Sequence, residues 1–188
     1  NEYKKSLGSF PAMMREGYIF VYQDVRGKWM SEGDFADIRP TNLNKDKKAV
    51  DESTDTYDLL EWLQKNLKNY NGKAGLYGIS YPGFYSTAGL VKSHPSLKAV
   101  SPQAPVTDWF IGDDFHHNGV LFLQDAFTFM STFGQPRPEP ITPAQFKSSI
   151  HISEADKYQF FLEAGTAREL KEKYFGDSIQ FWNDLFQH

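Results

Sequence analysis

Lys73-Ala74-Gly75-Leu76-Tyr77-Gly78-Ile79-Ser80-Tyr81-Pro82-Gly83 is the stretch that decides the fold. Residues 73–79 make a short apolar run of the kind that forms a buried strand, and residues 82–91 follow as a helix. A serine on a sharp strand-to-helix turn projects beyond the sheet edge, and small residues must flank it where the chain folds back. The helix start behind it offers backbone N–H groups and a positive dipole to a developing oxyanion. Pro82 suits the first helical turn, because its missing N–H would have been unpaired there. The usual nucleophile elbow reads Gly-x-Ser-x-Gly; here Pro82 holds the second glycine's place and Gly83 follows it. The competing reading is an ordinary junction whose Ser80 caps the helix.

Working outward, Gly17–Asp24 is β-branched and aromatic without alternation, which predicts a strand covered on both faces, as in a parallel sheet. A polar, glycine-punctuated loop runs from Arg26 to about Asp51. Asp51-Glu52-Ser53-Thr54-Asp55 then puts cap residues and negative charge at a helix start. Tyr57, Leu60, Leu63 and Leu67 continue at helical spacing until Asn71-Gly72. Leu97–Ser101 is a third strand candidate, closed by Pro102 and Pro105. Strand, helix, strand, helix, strand predicts two parallel crossover units.

Downstream the pattern changes to helix alone, over residues 118–132, 153–164 and 166–174, with the proline-rich Gln135–Pro143 as connector. Residues 109–188 also carry 16 of the 30 aromatic residues, although they are the shorter part. The organisation expected is a partial α/β core over residues 1–112 and the beginning of a helical cap over 113–188.

Composition narrows the function. The chain has 188 residues, 40% of them hydrophobic, a net charge of −4 and no cysteine. That is too apolar for a disordered tail and excludes a disulfide scaffold or a cysteine-based zinc site. A pI near 5.7 gives no global positive field for nucleic acid, and no apolar run reaches membrane-spanning length. Neither nucleic acid nor membrane is expected as a partner. No charged-then-apolar leader follows Asn1.

A serine nucleophile needs a base and a residue that orients it. His94 and His188 sit on or beside helix candidates, while His116, His117 and His151 fall in the cap-like part; none follows a strand candidate. His116-His117 with Asp113 and Asp114 could supply metal ligands, but adjacent residues rarely project toward one ion, so no metal and no cofactor is expected. Three strands do not complete an open sheet of this class, and the chain reads as the middle of a longer one.

Several separated motifs add a resemblance. Gln23-Asp24-Val25-Arg26-Gly27-Lys28, Ser31-Glu32-Gly33-Asp34-Phe35 and Arg39-Pro40 resemble the signature loop of the α-amino acid ester hydrolases. These belong with cocaine esterase and the X-prolyl dipeptidyl aminopeptidases among α/β-hydrolases. Asp51–Asp55, Glu61-Trp62-Leu63, the Gly78–Gly83 elbow, His94-Pro95-x-Leu97-Lys98 and Ile111–Phe115 continue the match. It covers residues 15–120 well and the helical remainder loosely.

The resemblance implies a fold, an α/β-hydrolase core followed by a cap. It also implies roles: Ser80 as nucleophile, the Tyr81 backbone N–H as one oxyanion donor, and Asp114, with Asp113 the weaker choice, in a carboxylate cluster that holds a substrate ammonium group. The second oxyanion donor falls before Asn1, with Tyr3 in the wrong place for it, and the catalytic acid and histidine fall after residue 188. Substrates would be small esters or amides, or short peptides. Homo-oligomers and export to the periplasm or beyond are common to such proteins. Asp24 and Arg26 read as loop anchors, and Trp109, Phe110 and Phe115 as core or acyl-pocket wall. A dipeptidyl peptidase or general acyl esterase of the same group is the nearest alternative, and a binding module that has lost catalysis is the more distant one.

Overall fold

The computed structural model describes residues 10–43, 50–109, 111–137, 139–147, 150, 152 and 156–187. Its contacts divide the chain into two compact units, Asn1–Phe35 with Arg137–Lys147, and Ala36–Pro136 with Ser148–His188.

In the first unit a short helix α1 (Pro11–Arg15) precedes an extended segment and a tight loop. Residues 17–24, expected as a strand, are not one. A strand needs a ladder partner for its N–H and C=O groups, and no described strand forms a ladder with this segment; Tyr18, Ile19, Val21 and Tyr22 stand exposed. The loop that follows turns on Gly27, at φ 69°, where a Cβ would lie 2.3 Å from the Phe35 nitrogen. Asp24 Oδ2 accepts the Met30 N–H at 3.4 Å. The Arg137 guanidinium lies 4.0 Å over the Trp29 ring, whose carbonyl accepts the Ile141 N–H at 2.9 Å.

The second unit carries the α/β layer. Helix α2 (Glu52–Asn66) starts at Asp51, whose fully buried carboxylate accepts from the backbone N–H of Ser53, Thr54 and Asn42 and from the Ser53 hydroxyl. The Thr54 hydroxyl accepts the Asp51 N–H in return at 2.9 Å, closing a capping box. Burial pushes the Asp51 carboxyl up, but the hydrogen bonds from Thr54, Ser53 and Asn42 outweigh it and hold it below the usual value.

Strand β1 (Ala74–Ile79), helix α3 (Tyr81–Val91) and strand β2 (Leu97–Gln103) form one crossover unit, with the strands parallel from Ala74 against Leu97 to Ile79 against Gln103. Helix α3 packs on both strands and on α2. Gly89 lets it approach, since a Cβ there would lie 2.7 Å from Leu76 Cδ1. The strand expected to be buried is covered on one face only; Tyr77 and Ile79 are about half exposed. Parallel strands joined through a helix make this part of an α/β core, as the sequence predicts.

The helix expected over 118–132 is split. Residues 116–121 form a hairpin of β3 (His116–His117) and β4 (Val120–Leu121), with Asn118 and Gly119 both at positive φ in its two-residue turn. Helix α4 (Leu123–Phe133) follows, then α5 (Lys157–Ala164), α6 (Ala167–Leu170) running into a π turn (Lys171–Phe175), and α7 (Gln180–Asp184). Residues 153–155 of the second expected helix lie outside the described residues. The aromatic excess becomes a core here. The Phe127 ring, fully buried, stacks on Phe175 at 4.7 Å and meets Phe161 and Trp182 edge-on.

Asp51→Ala removes the acceptor of four donors and strands the Ser53 hydroxyl in the interior. Denaturant melts should show a loss of about 1–3 kcal/mol. Because the folded carboxyl titrates low, its contribution is present above the unfolded value of about 3.9 and fades as pH falls through the folded one. The variant's stability should therefore fall less steeply in acid than that of the parent.

Candidate active site

Ser80 stands between the C-terminal end of β1 and the start of α3 at φ 61° and ψ −124°. An L-residue adopts such a backbone at a cost of about 1–3 kcal/mol unless its surroundings over-determine it. Here they do. The Ser80 N–H donates to Gln103 O at 2.9 Å, and its carbonyl accepts from Phe84 N at 3.1 Å and Val106 N at 3.4 Å. The end of β2 and the first turn of α3 therefore hold both sides of the strained residue.

The flanking glycines have steric reasons. A Cβ on Gly78 would lie 2.0 Å from the Pro82 oxygen, and one on Gly83 would lie 2.8 Å from the Gln103 oxygen. Gly83 thus serves the turn from one place beyond the position the common motif gives it. Ser80 occupies the N-cap position but its side chain makes no capping hydrogen bond, and the residue is exposed. The ordinary-junction reading required that capping bond.

The serine opens on a cavity of about 280 Å³ lined by Ser80, Tyr81, Pro82, Val106, Trp109, Asp114, Phe115, Phe129 and Phe133. Its walls are aromatic. Trp109 and Phe115 stack face to face at 4.2 Å, and Phe129 stacks on Phe133 at 4.6 Å. Asp114 is the acidic group among them. Partial desolvation, and then the charge of Asp113, push its carboxyl above the usual value.

The paired aspartates have separate places. Asp113 Oδ2 accepts the Thr107 N–H at 2.6 Å and hydroxyl at 3.1 Å, and its Oδ1 accepts the Asp114 N–H at 2.8 Å. It ties the loop that presents Asp114. His116 Nδ1–H donates to the Trp109 carbonyl at 2.8 Å, so it also serves the loop. Among the described residues no three His, Cys, Asp or Glu side chains converge as metal ligands would. Tyr3, Phe110, His151 and His188 lie outside the described residues.

His94 is part of a different arrangement. Its Nε2 lies 2.9 Å from Glu61 Oε1 and its Nδ1 2.7 Å from Ser96 Oγ. Nδ1 also accepts the Ser96 N–H at 3.0 Å, so the proton sits on Nε2 and goes to Glu61. The His94 hydrogen bond, followed by Lys65, holds the Glu61 carboxyl below its usual value. This serine–histidine–acid chain is a clamp between α2 and the start of β2. Ser96 is buried and precedes the N-terminal end of β2, whereas Ser80 sits at the opposite end of the two strands, about 16 Å along β1.

Sequence reasoning missed Val106, Phe129 and Phe133 as wall residues and Asp37 beneath Tyr81. Phe129 and Phe133 carry an i, i+4 signal for one helix face. Asp37, 44 positions before Tyr81, carries none.

Comparison with known proteins gives a consistent picture. Residues 1–185 match the X-Pro dipeptidyl-peptidase (S15 family) description. The chain is 27% identical to cocaine esterase of Rhodococcus sp. (strain MB1 Bresler) over 121 residues, covering 64% of this chain and 19% of that protein. It is 22% identical over 187 residues to a Xaa-Pro dipeptidyl-peptidase of Lactiplantibacillus plantarum, covering 91% of this chain and 21% of the other. Among solved structures, an aminopeptidase from a marine sediment archaeon, Thaumarchaeota archaeon, superposes with TM-score 0.82 at 32% identity, over 95% of this chain and 28% of that one. An α-amino acid ester hydrolase superposes with TM-score 0.79 at 32% identity over the same shares. The chain thus spans about a fifth of the length of the two curated relatives.

The glycine requirement is directly testable. Gly78→Ala forces its Cβ against the Pro82 carbonyl and should open the turn at Ser80. Ser80 reactivity toward a serine-directed reagent should fall at least tenfold in folded protein. Ala at Gly75, where φ is not positive and a Cβ would lie 3.5 Å from the Ala99 oxygen, an ordinary contact, should leave that reactivity unchanged.

Proposed function

The chain belongs to the X-Pro dipeptidyl-peptidase (S15) family, and we propose that it is the nucleophile-bearing part of a serine hydrolase that acts on esters or amides with an α-amino acyl group. The observation that carries this reading is the backbone of Ser80, strained, held from both sides, and presenting an uncapped hydroxyl to an aromatic cavity with one carboxylate in its wall. In this reading residues 113–188 begin a helical cap domain.

In this mechanism Ser80 Oγ attacks the acyl carbonyl and its proton passes to a base. The Tyr81 N–H, at the N-terminal end of α3, stabilises the oxyanion where the helix dipole also favours negative charge. The leaving alcohol or amine departs, and water releases the acyl group from Ser80. Asp114 holds the substrate's ammonium group, and Asp113 keeps its loop in place. The aromatic walls take the acyl side chain and exclude water around the reacting carbonyl. No cofactor or metal enters this scheme. Xaa-Pro amides are the second reading, favoured by the dipeptidyl-peptidase relative.

Ser80→Ala should abolish turnover and the first-turnover burst of leaving group in the complete protein that carries this chain. Asp114→Asn should raise KM for an α-amino ester by tenfold or more and leave its des-amino analogue within about twofold. Equal effects on the two substrates would remove Asp114 from ammonium binding. Since its carboxyl titrates above the usual value, that KM should begin to rise on acidification before an ordinary carboxylate would protonate.

A further inference from the structure

Beneath the strained serine, the side chain of Tyr81 is tied down at its far end. The ring is buried, 6% exposed, and packed against Phe84, Tyr85 and Phe133, the last at 4.6 Å. Its hydroxyl donates to Asp37 Oδ1 at 2.7 Å and accepts the Ile38 N–H at 2.8 Å. A phenylalanine would fill that space without a polar group to satisfy, so the hydroxyl needs both partners to be tolerated there.

The segment that supplies those partners is itself constrained. Ile38, a β-branched residue, is held at φ 38°, a conformation rarely adopted by such side chains. Arg39 pairs with Glu52 at 2.9 Å, and the Asn42 N–H donates to Asp51 at 2.9 Å. Residues 37–42 are therefore fastened to the capped start of α2 at one end and to the Tyr81 hydroxyl at the other. Two strained backbones, at Ile38 and at Ser80, are joined through one side chain, and strain of this kind concentrates at functional sites.

Tyr81 contributes two groups with different tasks. Its N–H belongs to the Ser80–Tyr81 peptide, and its hydroxyl lies at the other end of the residue. A ring anchored at its tip fixes the Cα from which that peptide plane extends. We infer that Asp37 is a positioning residue that acts through the Tyr81 hydroxyl to aim the Ser80–Tyr81 peptide N–H at the developing oxyanion. This rests on the serine-hydrolase reading above. Burial, and after it the Asp37 carboxylate, favour the protonated hydroxyl, so the donor persists across the working pH range.

The test uses the complete protein with an α-amino ester. It measures kcat, KM and the first-turnover burst for Tyr81→Phe, Asp37→Ala, Asp37→Asn and the Asp37→Ala/Tyr81→Phe double variant. Rates are normalised to the folded fraction from circular dichroism, so unfolded protein does not count. Tyr81→Phe and Asp37→Ala should each lower kcat about tenfold to a hundredfold, with KM within about twofold. Asp37→Asn, whose amide oxygen still accepts, should retain most of kcat. The double variant should be no slower than Tyr81→Phe, because both changes cut one link. Additive losses, or an unchanged kcat in Tyr81→Phe, would overturn the inference. Tyr81→Phe keeps the ring and so decides the matter if Asp37→Ala does not fold. Absence of a fluorophosphonate adduct on Ser80 in the unsubstituted, folded protein would overturn the serine-hydrolase reading and this inference with it.

Discussion

The backbone of Ser80, at φ 61° and ψ −124°, is the constraint around which the second unit is organised. It exists because Gly78 and Gly83 present no Cβ to the Pro82 and Gln103 oxygens, and because the last residue of β2 accepts the Ser80 N–H. Each of these conditions comes from a different element. The register of β1 on β2 brings Gln103 level with Ile79, α3 brings Pro82 and Phe84, and the loop after β2 brings Val106. If any of the three shifted, the serine would relax into an ordinary helix cap and its hydroxyl would turn to the backbone.

Among the described residues a serine–histidine–acid sequence of contacts lies away from Ser80, and its contrast with Ser80 separates a structural network from the proposed reactive site. Ser96, His94 and Glu61 are well hydrogen-bonded to one another. Yet Ser96 and His94 are buried, and the imidazole nitrogen facing Ser96 already accepts a backbone N–H. Ser80 has the opposite qualities: strained backbone, exposure, an adjoining cavity and the N-terminus of a helix behind it. Exposure and strain, more than hydrogen-bonded company, are what favour Ser80 over Ser96 as the proposed nucleophile.

Local chemistry was legible in the sequence to the extent that it was local. The order strand, turn, helix around Ser80 and the Asp51 cap are signalled by residues within a few positions of one another, and both are where the sequence places them; the hold of Gln103 and Val106 on Ser80 carries no such signal. Residues 17–24 read as strand because their apolar pattern records a capacity to pair and says nothing of a partner. The Asn118-Gly119 hairpin did have a signal in that dipeptide, masked by apolar residues that extend the periodicity of α4 upstream. Asp37 with Tyr81, and Glu61 with His94, lie 44 and 33 positions apart, and no periodicity encodes such pairs. The aromatic surplus was visible as composition, but its division between a helical core around Phe127 and a cavity wall at Trp109 and Phe115 required the fold.

The central claim is that residue 80 carries the nucleophile. The most direct measurement treats the complete, folded protein with a fluorophosphonate, a reagent that phosphonylates activated serine hydroxyls, and maps the adduct by peptide mass spectrometry. The account predicts one stoichiometric adduct on Ser80 and none on Ser96. Adduct formation elsewhere, or none on Ser80 while the protein remains folded, would contradict it.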